Sequence, residues 1–384
     1  LACGLSLLSV ANSGQEQLRA VSLWGAAAAV GAAAGPLLGG VLVEVTGWQG
    51  LFWVGAAIAA VCMVLTWKTV TESKDDNRPR DIDFAGSALI ALTLGPLILA
   101  LSKGSAWGWV SPATIGCLAV GVAAGFAFVV VEKRVAVPML DLVLLRNRVL
   151  VGSTVAILIG AGTINGLMYL VSLYFQDPAT LGFSPLQAGL ATLPATMGLV
   201  AVAPLVPRLA KRLGGRQVIG IGFLITAIGF AAVGLVESSW AYSAFVLPLV
   251  AIAVGMGLSN GPSSSASTAC VPAEQVGSAS GVSNMARYVG AAVATALAAT
   301  IYGSVIADRT AQGASPADAL AAGLGTAAWV MAAFSVAGVV MAVVMGRHPA
   351  ATGTLDDSAA AAAAHTHTLP TSATARVPAV AGSD

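Results

Sequence analysis

The sequence predicts an all-α polytopic membrane protein, on two observations. Of its 384 residues, 57% are hydrophobic and only 9% are charged, whereas a soluble domain carries about 25% charged residues. Several apolar stretches also reach the roughly 20 residues that a helix needs to cross a bilayer. Because the charges are too few to coat a water-facing surface of this size, we expect most of the surface to face lipid.

The helices are predicted in chain order from these apolar stretches. Residues 1–11 are too short to span a bilayer and lack the basic leader of a signal peptide, so we expect them to end a helix that begins before this sequence. Ten full spans follow, at about residues 18–43, 50–67, 83–102, 113–131, 149–174, 187–207, 217–236, 242–263, 281–305 and 320–346. Because each of these spans crosses the membrane once, every second connection lies on the same side of the membrane.

Basic residues are concentrated in one set of alternate connections. The other set holds only Lys103 and Arg309. Because cytoplasmic connections carry an excess of Lys and Arg, the richer set and the C-terminus are predicted to be cytoplasmic. The richer set contains, in chain order, Arg19, Lys68, Lys74, Arg78, Arg80, Lys133, Arg134, Arg146, Arg148, Arg208, Lys211, Arg212, Arg216, Arg287, Arg347 and Arg376.

Several kinds of chemistry are excluded by what the sequence lacks. The four cysteines are scattered, with neither a disulfide framework nor metal-ligand spacing. The glycine pairs in residues 220–223 and 255–261 lie inside apolar helices and do not follow a strand, so they are not nucleotide loops. A net charge of +1 argues against a nucleic-acid partner. We therefore predict no enzyme activity, no cofactor, no metal, no nucleotide and no nucleic acid.

The stretch "GAAAGPLLGG", residues 31–40, lies inside the first full span. Gly31, Gly35 and Gly39 recur every fourth residue, and small residues at this spacing let membrane helices approach closely. Pro36 cannot donate a backbone hydrogen bond and should bend the helix. With Gly40 at its end, the segment is predicted to be a kinked helix with a flat, closely packed face.

Five motifs together resemble the fourteen-helix drug:proton antiporters of the major facilitator superfamily. "GAAAGPLLGGVL" and the following "GWQGLFWVGAAIA" are similar to the antiporter motif on their fifth helix and to the start of their sixth. "YFQDPATLGFSPLQAGLATLP" is similar to the connection between helices nine and ten. "WGW" resembles the loop between helices seven and eight, and "GSASGVSNMARYVGAAVATA" resembles the start of helix thirteen.

The resemblance implies a division of the chain. Residues 1–67 would be the end of the N-terminal half, with a remnant of helix four and helices five and six. Residues 68–148 would hold cytoplasmic connections and two extra linker helices. Residues 149–346 would be a complete C-terminal six-helix half, followed by a disordered cytoplasmic tail at 347–384. Parallel repeats of this kind build alternating access.

The resemblance also implies a basic loop on the cytoplasmic side of the C-terminal half. "RLAKRLGGRQ", residues 208–217, is similar to the superfamily's Gly-Asp-Arg-Gly-Arg loop and supplies Arg208, Lys211, Arg212 and Arg216. The position that holds Asp in that loop is Lys211 here, which argues against a charge relay in this copy.

Candidate site residues come from a search for polar groups in the spans, because intramembrane ionisable groups are functional by default. The centres of the spans contain no charged residue, which leaves Glu44 and Asp177 at outer ends as candidate proton or cation sites. An interfacial carboxylate with no such role is the alternative. The uncharged candidates for a cavity wall are Asn165, Tyr169, Gln176, Asn260, Asn284 and Tyr288, and helix packing is the alternative for each.

The function implied is secondary active transport in the inner (plasma) membrane of a bacterium. The resemblance implies proton-coupled efflux of hydrophobic or cationic drugs by alternating access, with a small-molecule substrate, protons and the lipid bilayer as partners. Two alternatives stay open: an exporter of one endogenous metabolite or antibiotic, and a non-transporting scaffold or sensor on the same fold.

Overall fold

The computed structural model describes residues 34–69, 83–135, 146–271 and 275–345, together with residues 27 and 31. All the regular elements in these ranges are helices. Nine segments there are long and apolar enough to cross a membrane. The predicted remnant at 1–11 and the tail at 347–384 lie outside the described residues, as do Arg19, Lys74, Arg78 and Arg80.

The helices lie at the predicted spans, except that most of the span expected at 18–43 precedes the described range that begins at residue 34. Their bounds are α1 Ala34–Thr46, α2 Trp48–Thr69, α3 Phe84–Trp107, α4 Pro112–Glu132, α5 Arg148–Gln176, α6 Pro185–Ala191, α7 Leu193–Val202, α8 Val206–Leu213, α9 Gly215–Val233, α10 Tyr242–Ala269, α11 Val276–Ala311 and α12 Pro316–Val344.

The predicted span at 187–207 is one membrane crossing of Pro185–Leu213 but not one helix. It breaks at Thr192 and again in a short 3₁₀ turn, Ala203–Leu205, so that α6, α7 and α8 follow one another. Pro194, Pro204 and Pro207 lie at these breaks, and each removes a backbone donor that a continuous helix would use.

Helices α5 and α9 to α12 form a bundle whose largest core cluster is rich in aromatic residues. Phe175 on α5 and Phe245 on α10 meet edge to face, with ring centroids 5.3 Å apart. Tyr174 stacks obliquely on the same Phe245 ring at 5.6 Å. Edge-to-face ring pairs of this kind add about 0.5–1.5 kcal/mol beyond the area they bury.

Two helix crossings in this bundle depend on glycine. At the α5–α11 crossing, a Cβ placed on Gly290 would overlap the Leu158 carbonyl oxygen, and one on Gly162 would lie 2.8 Å from the Gly290 carbonyl oxygen. At the α9–α10 crossing, a Cβ on Gly222 would lie 2.6 Å from the Gly255 carbonyl oxygen. The glycines of residues 220–223 and 255–261 therefore include helix-packing positions.

The bundle has two ends, which we name by their charges. At the basic end, Asn147 at the start of α5 donates to the Cys270 carbonyl after α10 at 2.8 Å. At the same end Arg216 on α9 donates to the Met345 carbonyl after α12 at 3.3 Å. At the other end, which we call the far end, Ser238 before α10 donates to Asp318 on α12 at 2.5 Å.

Helices α3 and α4 form a hairpin beside the bundle. Thr300 on α11 donates to the Leu101 carbonyl on α3 at 2.9 Å, and α3 packs along α11. Helix α2 differs from every other span: all its side chains are exposed within this chain, and Gly50 is its one buried residue. An apolar face of that length matches lipid or protein rather than water.

Candidate functional site

A half-buried cationic cluster lies between α10 and α11. The Arg287 guanidinium donates from Nη1 to the Asn260 side-chain oxygen at 3.0 Å. It donates from Nη2 to the Ser264 hydroxyl at 3.1 Å. These contacts join two helices through residues 27 and 23 positions apart in the sequence. The cation of the cluster lies inside α11, within a segment long and apolar enough to cross a membrane.

The position of Arg287 corrects the sequence analysis, which counted it among the cytoplasmic connections. It lies inside α11, which begins at Val276, and a rise of 1.5 Å per residue places it roughly 16 Å along the helix. Arg287 lies nearer the start of α11 than its centre, so the expectation that the centres of the spans carry no charge is not contradicted. The signal was present in the sequence, because Arg287 falls within the predicted span 281–305.

The other predicted cavity residues of α11 lie beside this cluster with different partners. Asn284 bonds back to the Ser280 carbonyl of its own helix at 3.1 Å. Tyr288, next to Arg287, is 62% exposed. Ser263 and Ser283 are buried, and neither hydroxyl has a hydrogen-bond partner among the described residues. The cluster itself is therefore Arg287 with Asn260 and Ser264.

The predicted residues of α5 are not brought together with this cluster. The Asn165 amide donates to the Ala161 carbonyl at 2.8 Å, and the Gln176 amide donates to the Ser172 carbonyl at 3.0 Å. Tyr169 is 37% exposed. Each amide therefore bonds within its own helix, and the three side chains are spread along α5 towards the far end.

The carboxylates of the two candidate proton or cation residues both accept hydrogen bonds at the far end. Glu44 Oε2 accepts from the Ser184 hydroxyl at 3.0 Å and from the Leu186 backbone N–H at 3.2 Å. This carboxylate therefore lies at the start of α6, where the helix dipole favours negative charge. Asp177 Oδ1 accepts from the Ala179 backbone N–H at 2.9 Å, as a turn residue does.

The antiporter-motif segment contacts α6 through residues other than the predicted stripe. Among the described residues, a Cβ on Gly31, Gly35 or Gly39 would have no atom within 4 Å. The close contact is at Gly40, where a Cβ would lie 2.7 Å from the Pro185 carbonyl oxygen. Of the predicted motif residues, Gly40 and Pro36 therefore make the close contacts among the described residues, and the close-packed face through Gly31, Gly35 and Gly39 stays a prediction. The bend expected at Pro36 involves residue 32, outside the described residues.

Pro36 completes this contact from the other side. A Cβ on Gly189 of α6 would overlap the Pro36 carbonyl oxygen. Gly40 on one helix and Gly189 on the other therefore bring the two backbones together, with the Glu44 hydrogen bonds one turn further towards the far end. The contact joins the antiporter-motif helix to the segment that follows the α5–α6 connection.

The predicted basic loop lies at the basic end. Arg208, Lys211 and Arg212 are exposed on α8, and Gly214, with a φ of +88°, turns the chain into α9. Arg216 alone of the four has a described hydrogen bond, to the Met345 carbonyl. Lys211 has no carboxylate contact among the described residues.

The helices and their lengths define a multi-pass membrane protein. The family model of the Major Facilitator Superfamily matches residues 1–295, so the chain belongs to that superfamily. Its structure matches the crystal structure of an auto-inhibited POT family peptide transporter with a TM-score of 0.54. That match covers 90% of this chain and 74% of the other at 15% identity, which shows a shared fold.

The curated proteins that this chain resembles indicate which kind of membrane it lies in. The chain is 32% identical over 311 residues to the multidrug resistance protein Stp of Mycobacterium tuberculosis, covering 79% of this chain and 55% of that protein. It is 32% identical over 283 residues to the multidrug efflux pump LfrA of Mycolicibacterium smegmatis, covering 74% and 55%. The chain thus spans about half the length of these relatives. It is a multi-pass protein of a bacterial plasma membrane.

Proposed function

We propose that this chain belongs to a proton-coupled exporter of drug-like small molecules, working by alternating access without enzymatic chemistry. The observation that carries the proposal is the Arg287 cluster, because ionisable groups inside membrane spans mark substrate or ion pathways. Membership of the superfamily and relatives named for multidrug resistance and efflux support it.

We propose that the two halves and the linker of the transporter have the boundaries that the sequence predicts. Residues 149–346 form the C-terminal half, residues 1–67 belong to the N-terminal half, and the α3–α4 hairpin lies in the linker 68–148. The contact of Gly40 and Glu44 with α6 is where we propose that the two halves meet. Alternating access requires such a contact to loosen and re-form as the halves rock.

The test of this function is ethidium efflux. Cells that express the protein from its native gene are expected to lose preloaded ethidium several-fold faster than cells that carry a deletion of that gene. A protonophore should abolish the difference, because the proton gradient would drive the exchange. Equal efflux rates in the two strains would contradict export, and efflux that survives the protonophore would contradict proton coupling.

Glu44 allows a separate prediction about the contact between the halves. Glu44→Gln keeps an oxygen that can accept from Ser184 and Leu186, so we expect ethidium efflux within about twofold of the native rate. Glu44→Ala removes both acceptors and should reduce efflux more strongly. If both variants lose efflux equally, the carboxylate is needed as a titrating group and Glu44 is the proton site. Asp308→Asn, an exposed carboxylate on α11, is the matched control.

We also propose an orientation, with the basic end and the C-terminus in the cytoplasm. Lys133, Arg146 and Arg148 flank the starts and ends of helices at the basic end, whereas Lys103 and Arg309 lie towards the far end. The excess of basic residues in cytoplasmic connections supports this direction.

A further inference from the structure

The basic loop at residues 208–217 carries a positive charge that no nearby part of the chain balances. Between Asp177 and Glu237 the sequence contains neither Asp nor Glu. Lys211 also stands where the similar loop of the superfamily has Asp, so the loop lacks its own carboxylate. The loop holds four cations within nine residues: Arg208, Lys211, Arg212 and Arg216.

The three cations of α8 share one face of that helix. At about 100° per residue, Arg208, Lys211 and Arg212 fall within about 100° of one another, and all three are exposed. On the opposite face, Val206 and Leu209 pack against a buried apolar cluster that α7, α9 and α10 supply. The protein therefore covers the apolar face of α8 itself, and the cationic face points outward.

Helix α8 ends a membrane crossing that is longer than the hydrocarbon core. The crossing Pro185–Leu213 has 29 residues, about 44 Å at 1.5 Å per residue, against roughly 30 Å of hydrocarbon. Its only charged residues are the three cations of α8, and charges are costly inside hydrocarbon. Helix α8 therefore lies at the level of the lipid headgroups, with its cations turned away from the bundle.

We propose that the cationic face of α8 binds the phosphate groups of anionic phospholipids. The guanidinium groups of Arg208 and Arg212 can form paired hydrogen bonds with phosphate oxygens, and Lys211 adds a point charge between them. Clusters of about four or more basic residues next to a membrane span attract anionic headgroups. This lipid site goes beyond the proposed export function, because it is independent of the compound that is carried.

The test is native mass spectrometry of the purified protein in mild detergent, with phosphatidylglycerol and phosphatidylcholine of the same acyl chains as probes. We expect the native protein to bind phosphatidylglycerol about tenfold or more tightly than phosphatidylcholine. Combining Arg208→Gln, Lys211→Gln and Arg212→Gln should erase this preference with the phosphatidylcholine affinity unchanged. Combining Arg208→Lys and Arg212→Lys keeps the charge and should retain most of the preference.

The matched control combines Lys133→Gln and Arg134→Gln, which removes two exposed cations after α4 at the same end of the protein. It should keep the preference for phosphatidylglycerol. Raising the salt concentration should shrink the preference of the native protein by screening, a measurement that needs no variant.

The proposal is overturned if the native protein binds the two lipids equally, or if the triple glutamine variant keeps the preference. Equal loss in the Lys133 and Arg134 control would assign the preference to the overall charge of that end. Tight binding of inorganic phosphate that the triple variant abolishes would assign the loop to a free anion instead. Lipid binding does not require transport, so failure of the ethidium assay would remove the proposed export function without deciding this result.

Discussion

Replacing Gly290 with valine is expected to abolish accumulation of folded protein in the membrane. A Cβ at this position would overlap the Leu158 carbonyl oxygen of α5, and its neighbouring contacts are also backbone atoms. A backbone cannot rotate away as a flexible side chain can, so α5 and α11 would have to separate. Overpacking commonly costs about 1–3 kcal/mol, and an overlap with backbone at a central crossing should exceed that range.

The control for this variant is on the same helix. Gly303→Val adds the same side chain to α11 where a Cβ would have no atom within 4 Å. Membrane abundance and the size-exclusion profile in mild detergent measure both variants. We expect a monodisperse peak for Gly303→Val and loss or aggregation for Gly290→Val. A monodisperse Gly290→Val protein at native abundance would mean that α5 and α11 are not in contact at this crossing.

The membrane spans could be predicted from the sequence because the hydropathy of a helix depends only on its own residues. The span expected at 113–131 is found as Pro112–Glu132. The predicted spans that were too short belong to helices whose ends are polar. Helix α10 was expected to end at residue 263 and continues to Ala269, with the hydroxyls of Ser267 and Thr268 bonded to the Ser264 carbonyl. Such side chains satisfy backbone groups locally without adding hydrophobicity.

The helix contacts could not be read from one stripe of glycines. Residues four apart advance by 400° around a helix of 3.6 residues per turn, so the row through Gly31, Gly35 and Gly39 drifts about 40° at each step. A face defined by that row turns gradually away from a straight neighbour, and the contact with α6 among the described residues is at Gly40. The periodicity of the sequence does not show which neighbouring helix supplies the opposing backbone, because that depends on the tertiary packing.

The site was predicted in pieces for the same reason. Asn260 and Tyr288 were named as separate candidates on separate helices, but their relation to Arg287 depends on how α10 and α11 pack. The assignment of Arg287 to a connection treated its charge as a boundary signal. Neutral acceptors on α10 let the cation lie inside the span, and hydropathy has no term for such a partner.

The orientation of the bundle gives the second large prediction, an all-or-none labelling pattern. Gln217 is exposed at the start of α9, and Ser239 is exposed in the connection that follows α9. One helix of 19 residues separates the two ends, about 28 Å at 1.5 Å per residue, which is close to the hydrocarbon thickness of a bilayer. A cysteine at Gln217 and one at Ser239 must therefore lie on opposite sides.

In intact cells, a membrane-impermeant maleimide is expected to label Ser239→Cys and to leave Gln217→Cys unlabelled. The experiment needs a cysteine-free background, because the native sequence has four cysteines. Native Cys270 is a poor reporter for the basic end, since burial raises the pKa of its thiol and leaves little reactive thiolate. Permeabilised cells should label both variants, which controls for access.

The two positions flank a single span, so each labelling outcome has one meaning. Labelling of Gln217→Cys alone would invert the orientation and put the basic end outside, against the distribution of Lys and Arg. Labelling of both in intact cells would mean that α9 does not cross the membrane. Labelling of Ser239→Cys alone would fix the side from which Arg287 is reached, because that residue lies nearer the basic end of α11.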